Sequence, residues 1–143
     1  MIQRFFREHG LSIVAVGILL LWTALYVVSD PQTHIGQFFG NAIADWSGSV
    51  FIILGTKFLL ERGSKESRKV VRKHGGLAGF VHAHSLLIFL AVTGIGWALL
   101  FWHSDSNSKW GQVYGNVLSE WIQMAGLVYL TKSLIERGST ESK

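Results

Sequence analysis

The chain has 143 residues, enough for one domain, with 49% hydrophobic residues and a formal net charge of +4. It contains no cysteine, which excludes a disulfide framework and thiolate metal sites. Its basic residues flank long uncharged runs, so the positive balance points to a membrane surface and away from nucleic acid.

Residues 1–10 are short and basic, with Arg4 and Arg7 ahead of an uncharged run over residues 11–28. Such a start resembles a signal peptide, but Tyr26, Val27 and Val28 stand where small cleavage residues are needed. A retained first helix is expected over about residues 9–28. Asp30-Pro31 marks a turn, and a second helix is expected over 36–62, broken by Gly63-Ser64. Lys57 lies inside its apolar stretch, where a long stem carries the ammonium to the interface. A third helix is expected over 77–103, the polar turn SDSNSK follows, and a fourth helix is expected over 111–137. Runs of this length match spans, since about 20 helical residues cross a hydrocarbon core of about 30 Å.

The same text occurs twice. Residues 36–67 read GQFFGNAIADWSGSVFIILGTKFLLERGSKES, and residues 111–142 read GQVYGNVLSEWIQMAGLVYLTKSLIERGSTES. Compared without gaps at an offset of 75, residues 5–67 and 80–142 agree at 22 of 63 positions. Each unit holds two spans, so both copies insert the same way up and the repeat is parallel. The fold expected is all-α: one membrane domain over residues 1–143, a four-helix transmembrane bundle of two parallel two-helix repeats. Twelve of the thirteen Lys and Arg residues, Lys109 excepted, belong to one side, counting Lys57 and Lys132 as reaching it. The positive-inside rule then puts both termini in the cytoplasm of an inner-membrane, multi-pass protein.

Three groups of repeated residues are candidates for a role. Gly36, Gly40, Ala44 and Gly48, with Gly111, Gly115 and Ser119 in the second copy, form stripes of small residues four apart. Such stripes let helix backbones approach closely in lipid, within the bundle or in an oligomer. Asp45 and Glu120, with Asn41 and Asn116 one turn before them and Gln123 about one turn after Glu120, offer a proton or cation site. Against this, 17 residues of continuous helix from Asp45 to Arg62, about 26 Å, set the acid near the outer edge, beside belt residues Trp46 and Trp121. At the inner side, Lys57-Glu61 and Lys132-Glu136 are spaced as one-turn helical pairs. Arg62, Lys65, Arg68, Lys69, Arg72 and Lys73 are expected to set topology and hold anionic lipid head groups. His82 and His84 are two apart and chelate poorly from one helix, and no cofactor or metal motif is present.

The opening RFFREHGLS (Arg4 to Ser12) and the ending SEWIQMAGLVYLTKSLIERGSTESK resemble a family of uncharacterised small bacterial membrane proteins. Its members open with a similar Arg-Glu-Asn-Gly-Leu-Ser phrase and close each half with Gly-Ser-x-Glu-Ser; His9 departs from the expected Asn. The resemblance implies four spans in two repeats and supplies no activity. The function expected is non-enzymatic, as a scaffold or accessory subunit whose partners are membrane lipids, a second copy or another membrane protein. The alternative is a small transporter or channel for protons or cations working through Asp45 and Glu120.

Overall fold

The computed structural model describes residues 2–64 and 75–134, with side chains from residue 7 onward. These residues form five helices: α1 (Ile2–Val28), α2 (His34–Gly55), α3 (Gly76–Ala83), α4 (Ser85–His103) and α5 (Lys109–Ser133). The protein is therefore all-helical over its described residues. Arg7–Val28, His34–Gly55 and Ser85–His103 are long and apolar enough to cross a membrane, which is compatible with a multi-pass membrane protein. The 25 residues of α5 make about 37 Å of helix, but Lys109, Glu120 and Lys132 make it the most polar of the long helices.

α1 packs on α2, α2 on α5 and α5 on α4, so α2 and α5 form the central pair. Tyr26, Leu86, Leu90 and Val128 are the largest fully buried apolar side chains of the core. Leu11, Leu20 and Leu21 on α1, and Val92, Ile95 and Leu99 on α4, are exposed, as lipid-facing flanks require. Lipid tails are as apolar as leucine, so close fits matter more here than burial from water. Two such fits match between the halves: Gly40 lies against the Tyr26 ring, and Gly115 against the Phe101 ring.

The turns before α2 and α5 also match bond for bond. Thr33 and Ser108 cap the two helices, their hydroxyls accepting from the Gly36 and Gly111 amides. The same hydroxyls donate to the carbonyls of Asp30 and Asp105. Carboxylate oxygens of Asp30 and Asp105 accept from the amides of Gln32 and Asn107. A Cβ on Gly36 would stand 1.9 Å from the Asp30 carbonyl oxygen, and one on Gly111 2.0 Å from that of Asp105. The first glycine of each stripe is thus demanded by its own turn. Lys109 bridges the halves here, its ammonium donating to the carbonyls of Val27 and Ser29 at the end of α1. A cation at a helix C-terminus satisfies orphan carbonyls and the local dipole, which gives Lys109 a structural task.

Two expectations are overturned at the opposite end. The second helix does not run to Arg62. Thr56 caps it, its hydroxyl bonding back to Ile52, the amides of Lys57 and Phe58 bond only three residues back, and regular helix has ended by Leu59, whose amide makes a last bond to Gly55. The third helix is not continuous either, because it breaks at His84 (φ −123°, ψ 18°). Both departures have one cause. The irregular segment after α2 supplies the hydrogen bonds that the broken turn lacks: the Arg62 amide donates to the Ala83 carbonyl, and the Leu86 amide donates to the Leu60 carbonyl. The Ser85 hydroxyl completes the join by accepting from the Leu60 amide and donating to its carbonyl. Gly63 then turns the chain with φ +91°, a value that side-chain-bearing residues seldom adopt.

Candidate functional site between the central helices

Asp45 is the twelfth residue of the 22 in α2, and Glu120 the twelfth of the 25 in α5. Because α2 stops at Gly55, only ten residues separate Asp45 from the helix end, about 15 Å and not the 26 Å implied by a helix reaching Arg62. The acid therefore sits at the middle of its helix, nearer that helix's end than a helix reaching Arg62 implies. A carboxylate in the middle of a span is costly in a bilayer unless it faces the protein interior, water or a partner.

The packing of α2 on α5 brings the two acids together. The Glu120 carboxylate lies over Gly48, with Oε2 3.6 Å from where a Cβ would stand. Asp45 is three residues before Gly48 and so shares its face of α2. A cavity of about 460 Å³ opens beside them, bounded by Asp45, Gly48 and Glu120 at one end and by Ile52, Met124 and Val128 along its apolar length. A second cavity, of about 180 Å³, is lined by Asn41, Ala44, Asp45, Asn116, Ser119 and Glu120. These six are three pairs of residues 75 positions apart, facing one another across the α2–α5 contact. The Asn116 amide donates to the Asn41 side-chain oxygen at 2.5 Å. Gln123 is exposed and lines neither cavity.

The small residues divide between tasks. Gly36 and Gly111 serve turns, Gly40 and Gly115 receive aromatic rings from α1 and α4, and Gly48 makes room for Glu120 and Met124. Ala44 is buried, whereas Ser119 is exposed. Trp121 is buried, donates from its indole to the Thr93 hydroxyl at 2.7 Å and packs against Phe51 and Trp97.

A second polar cluster lies one turn beyond the apolar end of the larger cavity. The Glu61 side chain is fully buried. Its Oε1 stands 2.5 Å from Nδ1 of His84 and accepts from the Lys132 ammonium at 2.8 Å. Its Oε2 accepts from the Leu87 amide at 3.4 Å. Beside it, the buried hydroxyls of Ser64 and Thr131 are 3.1 Å apart. Lys57, expected to pair with Glu61 along one helix, instead donates to the Ser12 hydroxyl on α1 at 3.0 Å. Spacing alone gave the wrong partner, because a one-turn pair needs a helix that continues past Gly55. The available signal was the recurrence of His, Thr-Lys and Glu-Arg-Gly-Ser at one offset.

Arg62 is exposed at this end. Lys65, Arg68, Lys69, Arg72 and Lys73, expected to meet lipid head groups, lie outside the described residues, as does Glu136. His9, His34, His82 and His103 are exposed, and His84 is half-buried. No protein-family model, curated protein or solved structure matches this chain.

Proposed function

We propose that the protein is a four-span membrane protein of two parallel two-helix repeats that passes protons or small cations by way of Asp45 and Glu120. The observation that carries this reading is the pair of acids at mid-helix, on facing helices, lining one cavity. Carboxylates at this depth bind cations or exchange protons, and neighbouring amides such as Asn41 and Asn116 serve as further ligands or relays. Side-by-side packing of α5 with α2 and α4 supports a fourth span, despite its polarity. Of its polar residues, Glu120 belongs to the acid pair and Lys132 to the inner cluster, where polar groups in a membrane protein belong.

Both termini then face the cytoplasm, and the basic inner side meets anionic lipid. The end motifs quoted above support membership of the small bacterial membrane-protein family that they resemble.

Purified protein in liposomes, carrying a pH-sensitive dye and tested with common monovalent cations, decides the matter. Flux is expected in the wild type and is expected to vanish in Asp45→Asn/Glu120→Gln while the protein stays folded. A wild type without flux for protons or any of the cations overturns it.

A scaffold or accessory role is the second reading. The observation favouring it is the breadth of the exposed apolar flanks of α1 and α4, which remain available to other membrane helices. The stripe on α2, by contrast, is occupied within the chain by Tyr26 and α5. Purification from native membranes in mild detergent is expected to retain a partner on this reading, and recovery of the chain alone counts against it.

A further inference from the structure

The larger cavity between α2 and α5 is a slot with two unlike ends. Asp45 stands with Glu120 at one end, and Ile52 with Leu127 and Ile53 with Val128 at the other, each pair 75 positions apart. From first pair to last is eight residues on either helix, about 12 Å of wall. Its oxygen-bearing side chains, those of Asp45, Ser49 and Glu120, all fall within the first turn of that length. Isoleucine, leucine, methionine and valine wall the rest.

A proton or a bare metal ion engages only the acid end. Hard cations collect about six oxygen ligands, which the apolar walls do not offer. The space of about 460 Å³ is instead that of a small-molecule site, which usually measures about 300–1,000 Å³ and is mostly apolar with a few converging polar groups.

We propose that this cavity binds an amphiphilic primary amine as its ammonium, with the head at Asp45 and Glu120 and the apolar tail along the remaining wall. The inference rests on the reading of Asp45 and Glu120 as the cation site given above, and it names the class of cation. An ammonium head carries three N–H donors, and two carboxylates supply acceptors for all of them as strong, charge-assisted bonds. The smaller cavity shares both acids and adds Asn41 and Asn116, so the head lies between a polar space and an apolar one. Gly48 leaves room where the two meet, since Glu120 and Met124 already stand 3.6 and 3.5 Å from the place of a Cβ. The Met124 thioether gives the tail an adaptable wall. Asp45, Ser49 and Leu127 are exposed, so the slot opens along its side and an amphiphile enters without the helix ends parting.

Equilibrium dialysis of the full chain in lipid nanodiscs tests this, with empty nanodiscs of the same lipid as the blank. The probes are labelled octylammonium, methylammonium (the head without the tail) and octanol (the tail without the charge). Wild-type protein is expected to bind octylammonium saturably and at least about tenfold more tightly than either of the others. Asp45→Asn/Glu120→Gln and, separately, Gly48→Leu, which keeps the acids and fills the slot, are each expected to weaken it by about tenfold or more. Methylammonium bound as tightly as octylammonium overturns the proposal in favour of a bare-ion site. Octanol bound as tightly overturns it in favour of a void that takes any chain. Flux of protons and small cations in liposomes, measured alongside, separates the two readings. Flux without octylammonium binding overturns the present proposal and leaves ion passage standing. Acid-dependent octylammonium binding without such flux supports the proposal and removes ion passage.

Discussion

Glu61, on the segment after α2, and Lys132, near the end of α5, form an ion pair at 2.8 Å, with the carboxylate wholly shielded and the ammonium side chain 31% exposed. The pair spans 71 residues of sequence and ties the two central helices at one end. Removing the Glu61 charge takes the carboxylate from both Lys132 and His84, and removing the Lys132 charge leaves the buried carboxylate to His84 and the Leu87 amide. Glu61→Gln is expected to lower stability by about 2–3 kcal/mol, less than a fully buried pair gives because Lys132 is partly solvated. Lys132→Met is expected to cost a similar amount, and the double variant less than their sum. Denaturant or thermal unfolding in detergent provides the double-mutant cycle; additive losses would show that the pair does not act as a unit.

The turn glycines make the sharpest contrast in tolerance. Gly36→Ala and Gly111→Ala each drive a methyl group into a backbone carbonyl about 2 Å away, and only movement of the Asp30 or Asp105 turn relieves it. Each is expected to destabilise by more than about 2 kcal/mol. Gly126, within α5, has nothing within 4 Å of a Cβ. Gly126→Ala is expected to be neutral or to stabilise by up to about 1 kcal/mol through helix propensity. Melting temperatures of the three variants in one detergent separate the cases.

Gly48 tests the cavity independently of the acids. A Cβ there meets Met124 and Glu120 at ordinary contact distances of 3.5 and 3.6 Å, so Gly48→Ala is expected to fold and function nearly as the wild type. Gly48→Leu projects a branched side chain toward the same wall and fills part of the 460 Å³ space. Flux in liposomes is expected to fall at least tenfold in the leucine variant and by less than twofold in the alanine variant. Equal flux in both would show that ions do not use this cavity.

Much of the local structure is legible in the sequence. Long uncharged runs give the apolar helices, because only a hydrocarbon environment accepts them without charge. Asp-Pro-Gln-Thr and Asp-Ser-Asn-Ser give the two turns, because Asp, Thr and Ser cap their own backbone. The offset of 75 foretells that Gly40 and Gly115, or Thr33 and Ser108, make alike contacts. It also lined up Asn41 with Asn116 and Asp45 with Glu120, though not their meeting across α2 and α5.

The errors all lie where a distant segment offered the backbone a better partner than its own helix. Periodicity reads the stretch from Trp46 to Arg62 as one helix, since nothing nearby announces that Leu60 and Arg62 bond to Leu86 and Ala83. Once the helix stops at Gly55, Asp45 stands at the middle of it, and Glu61 turns from a surface pair with Lys57 to a buried one with His84 and Lys132. Sequence alone determined which residues are apolar, which turns they form and that the pattern is written twice. Only the tertiary structure decided where the helix of Asp45 ends and which residues meet the Glu-Arg-Gly-Ser turn after it. Both depend on hydrogen bonds between segments more than twenty residues apart, whose geometry no local spacing encodes.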